Sequence, residues 1–339
     1  VMNKSNITFD DLKNTLLNFK KLKVHVIGDT IIDTYTRTSL LGNQAKTPTF
    51  SCAYENHEDY VGGAGIVAKH LKKAGAEVTF TTVTGEDSYK KLLVNEMKKN
   101  KIKLNLIVDK NRPTTNKNTI IADKYRLLRI NTLDNRSIDK ATLTKITNFI
   151  KTTEANSIIL SDFRHGIYNK DTIPVVAKSI DRSIFKAADS QVANRWGNIC
   201  DFKNFDLITP NEKESRFALA DQDSTVNSLS HSLSDISKAK NIIMKLGEKG
   251  VFSISNINKK RDFFSLDSFT NKVADPVGAG DALLAYSTLS MLSSKSLVIA
   301  TIIGSIAAAI ECEIDGNIPV DKIDIIKKID DIQKYQRIN

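Results

Sequence analysis

The stretch GAGD, Gly278 to Asp281, stands directly before an apolar run in which Leu283, Leu284, Tyr286, Leu289 and Leu292 recur at helical spacing. That spacing predicts a helix starting near Ala279. The N–H groups of Gly278, Ala279 and Gly280 would then point outward at the positive end of the helix. Glycine lets a phosphate approach such a backbone with no Cβ in the way, so the loop is a ready anion cradle. Asp281 admits two readings. It is an ordinary acid complementing a helix start, or it takes the proton from an attacking hydroxyl while the amides stabilise charge on a transferring phosphoryl group. The residues alone leave both open.

A second glycine cluster, Gly62-Gly63-Ala64-Gly65, also opens a helical pattern. Gly63, Gly65 and Ala68 satisfy the outline of a dinucleotide fingerprint, with Glu86 and Asp87 at about the right distance. That fingerprint demands an apolar strand directly before it, and the polar stretch ENHEDYV precedes instead, which argues against NAD. No GxxxxGK[ST] occurs, so this is not a P-loop protein.

The elements that must position these loops are strands alternating with helices. KVHVIG reads as a buried strand ending in a loop with two acids, Asp29 and Asp33. SIILSD (157–162) and FDLITPNE (205–212) are short apolar runs with polar ends, and NIIMKLGEKGVFSIS reads as strand, glycine turn, strand. Helical patterns lie between most of them. This alternation predicts an α/β fold with a mainly parallel sheet covered on both faces. Ligands of such sheets bind beyond the carboxyl ends of the strands, where Asp29, Asp162 and Asn211 fall. Asp189 and Arg164 sit at or just after strand ends too, where loop capping is the competing role. Residues 34–60 and 104–130 are Thr-rich and alternating, and are expected to form a small antiparallel sheet apart from the main one, as a cover. His57 and His165 are expected to be solvated or locally bonded, and the lone Trp196 to pack a loop near the nucleotide side.

Composition sets the outer bounds. The chain has 339 residues, 41% hydrophobic and 26% charged, enough for one large α/β domain or two small ones. No apolar run approaches the ~18 residues of a membrane span, and the first residues lack the apolar core of a signal peptide. Cys52, Cys200 and Cys312 stand far apart, which argues against a zinc site or disulfide framework and for a reducing compartment. Cytoplasm is the expectation, with no membrane partner. The net charge of +10 comes from lysines scattered among acids, with no basic run interleaved with aromatics, so nucleic acid is not expected as a partner.

With both glycine loops in view, the chain resembles the ribokinase-like (PfkB) carbohydrate kinases over about residues 22–320. GDTIID and GGAG match the sugar-binding end of that family, PNEKE its N-x-x-E motif at Asn211 and Glu214, KLGEKG its nucleotide border, and DPVGAGD its anion hole and base. GDTIIDTY, DYVGGAGIVAKHL, RLLRIN and ILSDFRHG look most like the heptose 7-phosphate kinase domain of ADP-heptose synthesis enzymes.

The resemblance implies residues 1–21 as a helical extension and 22–330 as the kinase domain, the Thr-rich segments being a β lid that can supply a homodimer interface. It implies transfer of the γ-phosphoryl of ATP to a sugar or sugar-phosphate hydroxyl, with Mg²⁺ as cofactor. Asp281 would be the base, and Gly278, Ala279 and Gly280 the anion hole. Asn211 and Glu214 would organise Mg²⁺ through water. Asp29, Asp33, Gly62 and Gly63 would hold sugar hydroxyls, with Arg129 pairing a substrate phosphate or merely lying on a lid surface. Asp162 would lie near the substrate. Asp189, Lys245, Gly247 and Gly250 would border the nucleotide.

Relatives of this kind often carry a fused nucleotidyltransferase. Its H-x-G-H signature does not occur in this sequence, and the Val start fits a kinase separated from such a partner. Ile66 stands where the family usually has Asn, Pro276-Val277 precede the anion hole where Thr is common, and Ser190-Gln191 replace Pro-Lys. These departures bear on the identity of the sugar. Kinases of fructose, ribose or a nucleoside, and a non-catalytic sugar-binding module, are the alternatives.

Overall fold

A computed structural model describes residues 1–43, 49–191, 198–257, 260–270, 273–314 and 316–338. From the N-terminus come α1 (Phe9–Leu17), β1 (Lys23–Gly28), β2 (Thr30–Asn43), β3 (Phe50–Gly63), α2 (Ala64–Ala74), β4 (Glu77–Thr84), α3 (Ser88–Lys99) and β5 (Lys103–Val108). β6 (Thr115–Ala122), β7 (Tyr125–Thr132), α4 (Lys140–Thr152), β8 (Ser157–Asp162), α5 (Thr172–Ser179) and β9 (Phe185–Ser190) follow. The C-terminal half adds β10 (Leu207–Ile208), α6 (Glu212–Leu219), α7 (Val226–Ser237), β11 (Asn241–Lys245), β12 (Val251–Ile257), β13 (Lys260–Leu266), α8 (Ala279–Ser294), α9 (Leu297–Cys312) and α10 (Lys322–Ile338).

Nine strands form one sheet in the order β13-β12-β11-β10-β9-β8-β1-β4-β5. All its pairings are parallel except those of β12, which runs antiparallel to β11 and β13. Every residue of β8, and all but the first of β1 and β4, is buried, as expected of strands with helices on both faces. One apolar cluster joins the sheet to α1, α2, α8, α9 and α10, and a second joins its other face to α4, α5 and α7. Leu12, Leu16 and Phe19, from α1 and the turn after it, contribute to the first of these.

The second sheet has the order β3-β2-β6-β7. β2 and β3 leave and re-enter the main body at Thr30 and Gly63, which pair with each other. Of the two segments expected in this cover, the second is corrected at its start. Residues 103–108 are β5, an edge strand of the main sheet paired with β4, and the cover resumes only at Thr115. The reason is that α3 carries the chain back across the sheet, so the strand after it completes a parallel unit. β2 pairs β6 in parallel, so the cover is mixed rather than purely antiparallel. A strand does precede the Gly63 loop, but it is β3 of this cover, with a mostly exposed face, and not a buried strand of a dinucleotide unit. Trp196 lies outside the described residues.

Candidate active site

The carboxyl ends of β1, β8, β9, β10 and β11 lie side by side in the sheet, and α8 starts above them. Gly278 is the residue capping that helix. Its φ of 90° is a left-handed conformation that favours glycine. The N–H groups of Asp281 and Ala282 donate to the Gly278 carbonyl at 2.9 and 3.0 Å. Those of Gly278, Ala279 and Gly280 therefore stand ahead of the helix's own ladder, as an anion cradle requires.

Asp281 is 8% exposed. Burial and the nearby Asp189 charge push its carboxyl up to about 8, against the opposing pull of Lys245 and Lys117. Lys245, the last residue of β11, places Nζ 3.1 Å from each Asp189 carboxylate oxygen, and Thr209 donates to the same aspartate at 3.2 Å. A Cβ added to Gly280 would lie 3.1 Å from that Nζ. Asp189, Lys245 and the anion-hole loop are thus one assembly.

Beside it lies a cavity of about 580 Å³ lined by Lys245, Gly247, Gly250, Val251, Phe269, Val273, Pro276, Ala279, Gly280, Leu283, Ala308, Ala309 and Cys312 among others. Its lining joins an apolar wall to glycine backbone at one end. Gly247 and Gly250 adopt φ of 63° and 84° in the turn between β11 and β12, where a Cβ on Gly250 would fall 2.0 Å from the Leu266 carbonyl oxygen.

Asn211 and Glu214 form a reciprocal capping box at the start of α6. Asn211 N–H donates to Glu214 Oε2, and Glu214 N–H to Asn211 Oδ1, both at 2.7 Å. Asn211 and Lys245 also border a wider recess of about 1020 Å³. Among the described residues no three His, Cys, Asp or Glu side chains are grouped to cage a metal ion. Asn211 and Glu214, fixed by their capping box at this recess, are oxygen-bearing side chains of the kind that a hydrated Mg²⁺ can meet through its waters.

On the other side, beneath the cover, Asp33 of β2 is half-buried and stands opposite Lys117 of β6. Burial raises its carboxyl, while the charges of Lys117 and Arg129 and a 3.2 Å hydrogen bond from Asn317 Nδ2 oppose the rise. A Cβ on Gly62 would lie 2.1 Å from Asp33 Oδ2, so only glycine permits this approach. Gly63, with φ 59°, would clash with the Asp29 carbonyl at 2.5 Å if it carried a side chain. Arg129, exposed on β7, donates to Thr119 at 3.2 Å and faces the Asp33 side of the cover.

Two of the expected substrate contacts make hydrogen bonds within the protein. Asp29 is 3% exposed, and its carboxylate accepts the N–H groups of Phe163 and His165 at 3.1 and 3.2 Å and of Ile167 at 3.4 Å. Asp162 is 1% exposed, accepts from Arg164 N–H at 2.8 Å and Ser190 Oγ at 2.7 Å, and pairs with the Arg164 guanidinium at 3.1 Å. Both carboxylates face the loop after β8, whose backbone amides need acceptors once buried. Burial, despite Arg164, pushes Asp162 up to about 7. His57 bonds Tyr54 at 2.7 Å, a local contact, whereas His165 bonds Asn135, thirty residues away in the chain, at 2.8 Å. Ile66 is wholly buried, packed into the protein on α2.

Four residues escaped sequence reasoning. Lys117 and Asn317 reach Asp33 as described, and only the lid pairing and the turn before α10 bring them there. Asp275 accepts Val277 N–H at 3.1 Å and pairs with Arg126 of β7 at 2.6 Å, tying the cover to the anion-hole loop. Glu311 of α9 is wholly buried with neither oxygen hydrogen-bonded among the described residues, its Oε1 2.7 Å from where a Gly278 Cβ would lie. Burial, with the Asp281 charge adding, pushes it up to about 8. Within the apolar run AAAIEC nothing in the sequence marks it.

A mainly parallel sheet with a β cover over one end and a glycine-capped helix above the strand ends defines the ribokinase-like class. Escherichia coli phosphofructokinase-2, in its tetrameric inhibited form, superposes with a TM-score of 0.75 at 15% identity, covering 92% of this chain and 99% of that one. Arabidopsis thaliana ribokinase complexed with ribose and ATP superposes at 0.71 and 19%, covering 91% and 98%. The chain belongs to the pfkB family of carbohydrate kinases, whose model matches residues 21–322. Among curated relatives, the bifunctional protein HldE of a Nitratiruptor species is 25% identical over 295 residues, and that of Helicobacter pylori (strain J99) is 29% identical over 299. These alignments cover 86% and 85% of this chain but only 61% and 62% of the relatives, so the chain spans about three-fifths of their length. Among the described residues no helix is long and apolar enough to cross a membrane.

Proposed function

We propose that the protein transfers the γ-phosphoryl group of ATP to a hydroxyl of a sugar phosphate of the heptose 7-phosphate kind. The observation that carries this reading is Asp281, sunk under the start of α8, with three amides ahead of the helix ladder and a nucleotide-sized cavity alongside. Asp281 takes the hydroxyl proton as the acceptor oxygen attacks phosphorus. The amides of Gly278, Ala279 and Gly280 receive the charge spread over the transferring group. Gly247 and Gly250 border the nucleotide, with Lys245 and Asp189 at its phosphate end. Mg²⁺, when bound, neutralises phosphate charge, and Asn211 and Glu214 hold its waters from the start of α6. Asp33 accepts from sugar hydroxyls against the open faces of Gly62 and Gly63. Lys117 and Arg129 make that side of the site suited to an anionic acceptor, which supports a sugar phosphate over a neutral sugar.

The same lid supports a homodimer. Phe50, Tyr54, Tyr125, Leu128 and Ile130 are all more than half exposed on its strands, and β3 and β7 are its edges. The relatives are named bifunctional and extend beyond the aligned region, which supports a further partner domain or protein, a nucleotidyltransferase by the resemblance to ADP-heptose synthesis enzymes.

ADP release with ATP is to be measured against heptose 7-phosphate, fructose, ribose and a nucleoside. The reading expects the phosphorylated heptose to give the highest kcat/KM by at least tenfold. Higher turnover of an unphosphorylated acceptor contradicts the substrate assignment, and sugar binding with no turnover of any acceptor contradicts the enzyme.

A further inference from the structure

Lys245 sits where three parts of the site meet. Its backbone is fixed by the bond from its N–H to the Pro210 carbonyl at 2.8 Å and by a bridge to Asn211. Its side chain then crosses the end of β10 to reach Asp189 on β9. Nζ lies 3.1 Å from the position a Cβ would take on Gly280, directly under the anion-hole backbone. Lys245 also lines both the 580 Å³ nucleotide-sized cavity and the 1020 Å³ recess at the start of α6. A buried ion pair serving stability alone needs neither a cavity on two sides nor a glycine held open beside it.

The charges around it are arranged for a cation that is shared. Burial works against the ammonium, yet the carboxylates of Asp189, Glu214 and Asp281 hold its proton more tightly than an ordinary lysine's. The groups facing Asp281 in turn are Asp189, Lys245, Asp33 and Lys117, with Glu311 behind the helix start.

We propose that Lys245 is a catalytic cation that meets the transferring phosphoryl group from beneath the Gly278–Gly280 amides, held ready for it by Asp189. This rests on the ATP-dependent transfer proposed above. In that step the acceptor oxygen forms its bond to Pγ, and the bond from Pγ to the bridging oxygen breaks. The electron pair leaves with ADP and the hydroxyl proton goes to Asp281. Lys245 gives up no proton. It turns from Asp189 toward the phosphoryl oxygens as charge accumulates there, and its positive charge favours the ionised form of Asp281 before the step begins.

The test compares wild type with Lys245→Met, Lys245→Arg and Asp189→Asn by steady-state kinetics across pH, with thermal melts on each protein. The expectation for Lys245→Met is a kcat about 100-fold lower with an unchanged KM for the sugar. The acid limb of its kcat/KM profile should move up by about one pH unit. Asp189→Asn should move that limb the other way, because an anion beside Asp281 is removed. Lys245→Arg should keep kcat within about tenfold of wild type. A structural ion pair would instead give Lys245→Met and Asp189→Asn similar losses of melting temperature and leave the limb in place. That result, or a Lys245→Met kcat within threefold of an active wild type, overturns this role alone. If Lys245→Met fails to fold, the opposed limb shift in Asp189→Asn decides. A wild type that transfers phosphoryl to no acceptor overturns the functional reading, and this role with it.

Discussion

The two ends of the site are built in different ways. At the proposed phosphoryl end, Gly278 to Asp281 are contiguous, and a single helix start delivers amides and carboxylate together. At the proposed sugar end, Asp33, Gly62, Lys117, Arg129 and Asn317 come from four strands and a distant turn, and only the pairing of the cover brings them within reach of one another. Chemistry that any acceptor requires is thus held by local backbone geometry. Discrimination among acceptors depends on long-range sheet register, which substitutions can change piece by piece.

This contrast predicts different kinetic signatures. Of the substitutions that separate the two ends, Gly278→Ala should do the most damage. A Cβ there would lie 2.7 Å from Glu311 Oε1 at a residue with φ 90°, so the anion hole must distort. A kcat loss of about 10²-fold is expected with little change in KM for the sugar. A KM effect without a kcat effect would break the distinction between the two ends.

The paired aspartates of the first loop sharpen it. Asp33→Asn should raise the KM for the sugar about tenfold or more, the worth of one charge-assisted hydrogen bond, while the protein melts as wild type does. Asp29→Ala should do the reverse. It leaves the buried amides of Phe163 and His165 without an acceptor, at about 2 kcal/mol of stability. Its effect on kinetics should follow only from the fraction folded, as read by thermal melts alongside activity.

The same contrast explains what could be read from the chain. The helix start at Ala279, the glycine turn after Lys245 and the parallel sheet follow from local periodicity and turn chemistry, and the ends of β1, β8 and β9 fell where alternation placed them. The surroundings of Asp29 and Asp162 were not legible, because a carboxylate at a strand end looks alike from sequence whether it faces a ligand or a buried loop. Only the amides of residues 163–167 decide between the two. Residues 103–108 were drawn into the lid because an edge strand, half exposed, alternates as a lid strand does. Glu311 and Asn317 carry no local signal at all. Their place is set by how α9 and the turn after it pack beneath the anion-hole loop.

The proposed transfer depends on Asp281 acting as a base that its surroundings hold protonated until pH approaches 8. The folded protein keeps this proton up to about 8, whereas the unfolded chain releases it near 3.8, so stability is lost as pH rises through that window. Asp281→Asn removes the cost and should melt a few degrees higher at pH 8 even as it loses activity. The most direct measurement is the pH dependence of kcat/KM for wild type and Asp281→Asn on the same acceptor. The account predicts a wild-type profile rising through about pH 8, and a variant at least 100-fold slower with no such rise. A variant that matches wild type in both rate and limb would contradict it.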